Sequence, residues 1–114
     1  MDHAELLRRL TINDARLDDG RALPPAALPP GTLALVRLAA LVGVSGGGPS
    51  LGVEVEAALG AGVAAHEIVD VLTAAVPVVG LPRAVSAAPW VALALGLEPV
   101  EGWTDPTRDG VGEF

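Results

Sequence analysis

Apolar residues recur at helical spacing along most of this chain and nowhere alternate with polar ones over any length, a pattern that predicts helices and no strands. The first pattern is short. Leu6, Leu7 and Leu10 fall on one side of residues 3–10, with Arg8 and Arg9 facing out. "NDARLDDG" follows as a second polar turn or short helix ended by Gly20, and "LPPAALPPG" then makes an extended connector, because each proline restricts the residue before it. Thr32 is placed to cap the next helix, "LALVRLAALVGV", which is apolar nearly all round apart from Arg37 and is expected to be buried on most sides. The glycines at 46–48 end it. Ser50 is placed to cap the following helix, where Leu51, Val55, Ala58 and Leu59 share one face, Glu54 lies on its border and Glu56 points away. After the break "GAG" at 60–62, the spacing returns at Ile68, Val71, Leu72 and Ala75, and Glu67 stands where a capping-box acid would, above a poor cap at Ala64. Residues 77–82 read as a kinked joint, residues 83–96 as a last helix bent or shortened at Pro89, and the polar stretch beyond Glu98 as a loose tail.

The elements add up to an all-α chain with three parts: a helical arm over 1–23, a helical domain over 24–98 and a flexible tail over 99–114. Of the 114 residues, 51% are hydrophobic but only 3% aromatic, so the core must be built from Ala, Val and Leu in closely packed helices. Domains of this kind often gain stability by assembling, and a homo-oligomer is expected. A net charge of -7 argues against nucleic acid or an anionic membrane as partner. The N-terminus lacks the apolar core of a signal peptide, so a cytoplasmic location is the expectation. Residues 72–97 are long enough to cross a bilayer, but Arg83 near their middle, with Pro77, Gly80, Pro82 and Pro89 around it, favours two buried helices over a span.

The chain has no cysteine, no lysine and no tyrosine. That removes disulfides, thiolate nucleophiles, zinc–cysteine sites, Schiff-base chemistry and a P-loop lysine, leaving two histidines, carboxylates, arginines and a few hydroxyls. His66 and Asp70 lie one turn apart beside Glu67, which is metal-ligand spacing, yet acids in a first helical turn also favour the helix dipole. Too few further ligands exist to complete a shell, so no metal is expected, and His3 in the arm receives no role. Arg37 and Arg83 are lone charges inside apolar helices. Each calls for a partner: either an ion pair across an interface, with Glu54 or Asp70, or a carboxylate ligand held in a pocket between helices or subunits. The glycines of "VSGGGPSLG" could cradle a phosphate, but no strand precedes them and no Lys-Ser/Thr follows.

The buried helix after a proline-rich lead, then "AALGAGV" followed by "HEIVDVL", then "VVGLPRAV" closing on Gly-x-Pro, together resemble the carboxymuconolactone decarboxylase family, which also holds the alkylhydroperoxidase D-like proteins. The resemblance covers about residues 24–97. It implies an alkylhydroperoxidase D-like helical bundle that assembles into trimers or hexamers. The family's peroxidase branch has a Cys-x-x-Cys pair, a histidine one turn beyond and a glutamate on the first long helix; those places fall at about Gly47, Ser50, Glu54 and near Leu35, and none carries the family residue. Without a thiolate to attack a peroxide, thiol-peroxidase activity is not expected. The decarboxylase branch is cofactor-free and uses acid and base groups around a lactone acid, with Glu54 at the histidine place or Val53 if the comparison slips by one. Two functions follow as expectations: a cofactor-free enzyme on a small organic acid or lactone, with Glu54 catalytic and Arg37 and Arg83 as ligand-binding groups, or a non-catalytic helical homo-oligomer that binds or assembles.

Overall fold

The computed structural model describes residues 2–13 and 25–97, and the described residues form helices without strands. They are α1 (His3–Thr11), α2 (Pro30–Gly43), α3 (Gly48–Gly60), α4 (Ala65–Val79) and α5 (Leu81–Ala94). Most of the polar "NDARLDDG" segment, the start of the proline-rich connector and the C-terminal tail lie outside the described residues.

Asp2 caps α1 by accepting the Glu5 backbone N–H at 2.7 Å. Glu5 in turn accepts from Arg8 at 3.1 Å and Arg9 at 3.0 Å, and those hydrogen bonds pull its carboxyl down to about 2. The group is at the surface, so the trio organises the helix more than it stabilises it. The helix buries none of its residues, and its apolar stripe stays open, with Leu7 60% and Leu10 51% exposed.

The body is made by α2 to α5. The helix α2 is central and touches the other three, while α5 packs on both α3 and α4. Ala34, Leu38 and Val42 face inward from α2 at four-residue spacing and meet Leu51, Val55 and Ala58 of α3, Ile68 of α4, and Ala87 and Val91 of α5. Leu38, Val55 and Ile68 are fully buried. Each such side chain contributes roughly 1.5–3 kcal/mol relative to exposure, and the many alanines between them let the helix axes approach closely.

Both expected serine and threonine caps are corrected. The helix α2 starts at Pro30, two residues before Thr32, and α3 starts at Gly48 with Gly47 in the cap position, two residues before Ser50. Proline explains each case. Its fixed φ and missing N–H suit the first helical turn, so Pro30 and Pro49 start their helices without a side-chain cap. Likewise α5 begins at Leu81 rather than Arg83, with Pro82 in its first turn. The Glu67 expectation holds in part: its carboxylate accepts the Ala64 N–H at 3.3 Å, though alanine cannot return the bond.

The joint expected over residues 77–82 shrinks to one residue. The helix α4 runs through Pro77 to Val79, and Gly80, at φ 91°, turns the chain straight into α5. That break divides the long apolar stretch, and no described helix is long and apolar enough to cross a membrane. A second correction concerns α2. Within one chain it is buried along one face only, and Val36 on its outer side is 50% exposed.

The α2–α3 turn is a Schellman closure: Gly46 N–H donates to the Leu41 carbonyl at 2.7 Å and Ser45 N–H to Val42 at 3.3 Å. Its left-handed residue is Ser45, at φ 57°, whereas the matching position after α3 is Gly62. Ser45→Gly is therefore expected to stabilise the protein by about 0.5–1 kcal/mol, as relief of left-handed strain exceeds the added backbone entropy. Urea denaturation would check it, and an unchanged or lower midpoint would contradict the assignment of strain.

Candidate functional site

The Schellman turn returns α3 alongside α2, and this places two helical faces against each other. From α2 come Arg37 and Leu41, four residues apart, with Ala40 beside them, and from its C-cap Val44; from α3 come Ser50 and Glu54, one turn apart. Together they line an open groove of about 380 Å³. Its apolar lining, Ala40, Leu41 and Val44, is aliphatic. Its polar groups are one guanidinium, one carboxylate and one hydroxyl.

Arg37 is exposed and Glu54 half-buried. Among the described residues neither makes a side-chain hydrogen bond or ion pair; the ion pairs there join Glu5 to Arg8 and Arg9. The expected pairing of Arg37 or Arg83 with Glu54 or Asp70 is thus not made within one chain. An arginine and a carboxylate beside an apolar lining can fix a ligand's acid group with the first and exchange a proton with the second.

Arg83 does not join them. It donates to the Gly43 carbonyl at 2.7 Å, placing a cation at the C-terminus of α2, where the last carbonyls lack helical partners and the dipole is negative. It lines a separate cavity of about 130 Å³ with Ser45, Gly46, Ser86 and Trp90. So of the two lone arginines, one closes the α2 terminus and supports the turn, and the other lines the groove.

The places that the family resemblance picks out are also divided by the fold. Gly47 caps α3, and Ser50 and Glu54 follow on the groove side of that helix. Leu35 points elsewhere, into a second groove between α2 and α4 of about 600 Å³, lined almost wholly by aliphatic side chains. In the sequence Ser50 reads as a helix cap and, by the family resemblance, as a cysteine place; the structure leaves it no cap role and sets it one turn from Glu54 on the groove. His66, Glu67 and Asp70 are exposed on α4, and the described residues contain no cluster of three His, Cys, Asp or Glu able to hold a metal. His3 is exposed on the arm helix.

Comparison with curated proteins and with solved structures gives no significant match. The family model of the carboxymuconolactone decarboxylase family, in contrast, matches residues 12–93, which takes in α2, α3, α4 and nearly all of α5. With its helical order, its Gly-turn between α3 and α4 and its Gly80 joint, the chain belongs to the carboxymuconolactone decarboxylase family and has the all-helical, alkylhydroperoxidase D-like fold.

Proposed function

We propose that this protein acts, without a cofactor, on a small organic acid or lactone bound in the groove between α2 and α3, Arg37 holding the ligand's carboxylate and Glu54 moving a proton. The observation that carries the reading is the convergence of Arg37 and Glu54 on one concave, apolar-lined site with no partner of their own among the described residues. A charged pair serving only the fold would be expected to meet each other or a backbone group, as Arg83 does. The guanidinium fork matches a carboxylate in two hydrogen bonds, and the aliphatic lining suits the ligand's carbon skeleton. Glu54 then stands over that skeleton as base and, once protonated, as acid. No thiol chemistry enters, because the chain has no cysteine.

The second reading is a non-catalytic helical homo-oligomer that binds or assembles, favoured by the large aliphatic groove between α2 and α4. Arg37→Leu separates the two. Arg37 is exposed and makes no side-chain hydrogen bond or ion pair among the described residues, so its loss should leave folding and assembly intact. Binding of benzoate and of γ-lactone carboxylic acids, read as a rise in melting temperature, should weaken at least tenfold, the scale of one lost charge-assisted pair. Collapse of the assembly in this variant, or an undiminished ligand response, would count against the groove as the binding site.

A further inference from the structure

The cavity that Arg83 lines lies apart from the groove of Arg37 and Glu54, and burial sorts its wall into two kinds. Leu51 and Ala87 are buried, and the half-buried Trp90 stands on the same apolar side. Its indole is packed so closely on Gly48 that a β-carbon there would fall within the ring. Arg83, Ser45 and Ser86 are exposed and form the polar mouth. Among the described residues that line the cavity there is no carboxylate. Arg83 donates from Nη1 to the Gly43 carbonyl, and among the described residues neither its Nε and Nη2 nor the two serine hydroxyls make a hydrogen bond. A guanidinium beside two hydroxyls is a donor set for an oxyanion. The tether to Gly43 holds that guanidinium in place, so less freedom is lost when a ligand binds.

Size and polarity decide which oxyanion fits. The cavity measures about 130 Å³, the space of about four waters at roughly 30 Å³ each. Inorganic phosphate would fit by volume, but its oxygens point in every direction, and those turned towards Leu51 and Trp90 would lose water without gaining a donor. A short aliphatic acid divides as the wall does, with its carboxylate at the mouth and its carbons against the buried side. We infer that this cavity is a second ligand site, for an aliphatic monocarboxylate of about three or four carbons, its carboxylate held by Arg83, Ser45 and Ser86 and its chain packed on Leu51, Ala87 and Trp90. The site uses neither Arg37 nor Glu54 and does not depend on the function proposed for them. Leu41 lines both cavities, so the two sites are neighbours.

Trp90 reports on the cavity directly. The chain's other tryptophan is Trp103, and Trp103→Phe leaves Trp90 as the sole indole emitter. Titrating this protein with sodium propionate and sodium butyrate, at an ionic strength held constant with sodium chloride, is expected to give a saturable change in Trp90 emission. Ser86→Leu fills the mouth and leaves the contact of Arg83 with Gly43 in place; it should weaken binding at least tenfold, with circular dichroism confirming that the variant stays helical. Arg83→Met should weaken binding by as much, and Ser86→Leu decides alone if Arg83→Met does not fold. Arg37→Leu should leave the response unchanged. No saturable change with either acid, an undiminished response in Ser86→Leu, or a response lost in Arg37→Leu would overturn the inference, as would inorganic phosphate binding as tightly as butyrate.

Discussion

Replacing Gly48 by alanine is expected to lower the melting temperature by about 10 °C or more, while the same replacement at Gly52, one turn along the same helix, raises it slightly. Local propensity alone favours alanine at both places, by roughly 0.5–1 kcal/mol at Gly52 in the helix interior and by less at Gly48, the first residue of α3. The surroundings differ. A β-carbon on Gly52 meets nothing, whereas one on Gly48 falls within the indole of Trp90, which α5 lays across the start of α3. Either the indole or the first turn of α3 must move, at an overpacking cost of about 2–3 kcal/mol that exceeds the propensity gain. Trp90→Leu in the Gly48→Ala background should recover part of the loss. Differential scanning calorimetry of the three variants checks the account, and a Gly48→Ala protein as stable as Gly52→Ala would show that the indole does not hold this contact. The first turn of α3 carries Ser50, so a shift of that turn, and not of the indole, would also disturb the groove.

Glu54→Gln is expected to reduce turnover by about 10²–10⁴-fold on whichever acid or lactone the wild type consumes, with KM nearly unchanged. The amide keeps the shape of the carboxylate but cannot take up a proton. Glu54 is half-buried and has no hydrogen-bond or ion-pair partner among the described residues, so fold and stability should be preserved. Since Arg37 holds the ligand in this account, the loss should fall on kcat and not on binding. Steady-state kinetics separates the two; unaltered kcat would remove Glu54 from the chemistry, and a large rise in KM alone would make it a binding group.

Much of this architecture can be read from the chain. The faces made by Leu51, Val55 and Ala58 and by Ile68 and Ala75 are inward in the structure because helical periodicity and burial are the same fact seen twice. The misjudged helix starts share one cause. Thr32 and Ser50 attract a cap assignment because their hydroxyls can accept a hydrogen bond, but a proline just before each starts the helix earlier. The exposed outer side of α2 has another cause: its apolar residues call for cover, and periodicity cannot say whether that cover comes from the same chain. The site was only half legible. Glu54 and Arg37 are visible as odd charges in apolar helices, yet which arginine faces Glu54 depends on how α2 and α3 are rotated about their shared turn. That rotation places Arg37 on the groove and leaves Arg83 to a carbonyl 40 positions away in sequence, a tertiary contact with no local signature.

Nuclear magnetic resonance titration tests most directly whether a small carboxylate binds in the groove between α2 and α3. With ¹⁵N-labelled protein and increasing benzoate or a γ-lactone carboxylic acid, the account predicts saturable shifts centred on the amides of Arg37, Leu41, Val44, Ser50 and Glu54, lost in Arg37→Leu. Shifts centred on Val71, Ala74 and Val78 of the other groove, or none with any such acid, would contradict it.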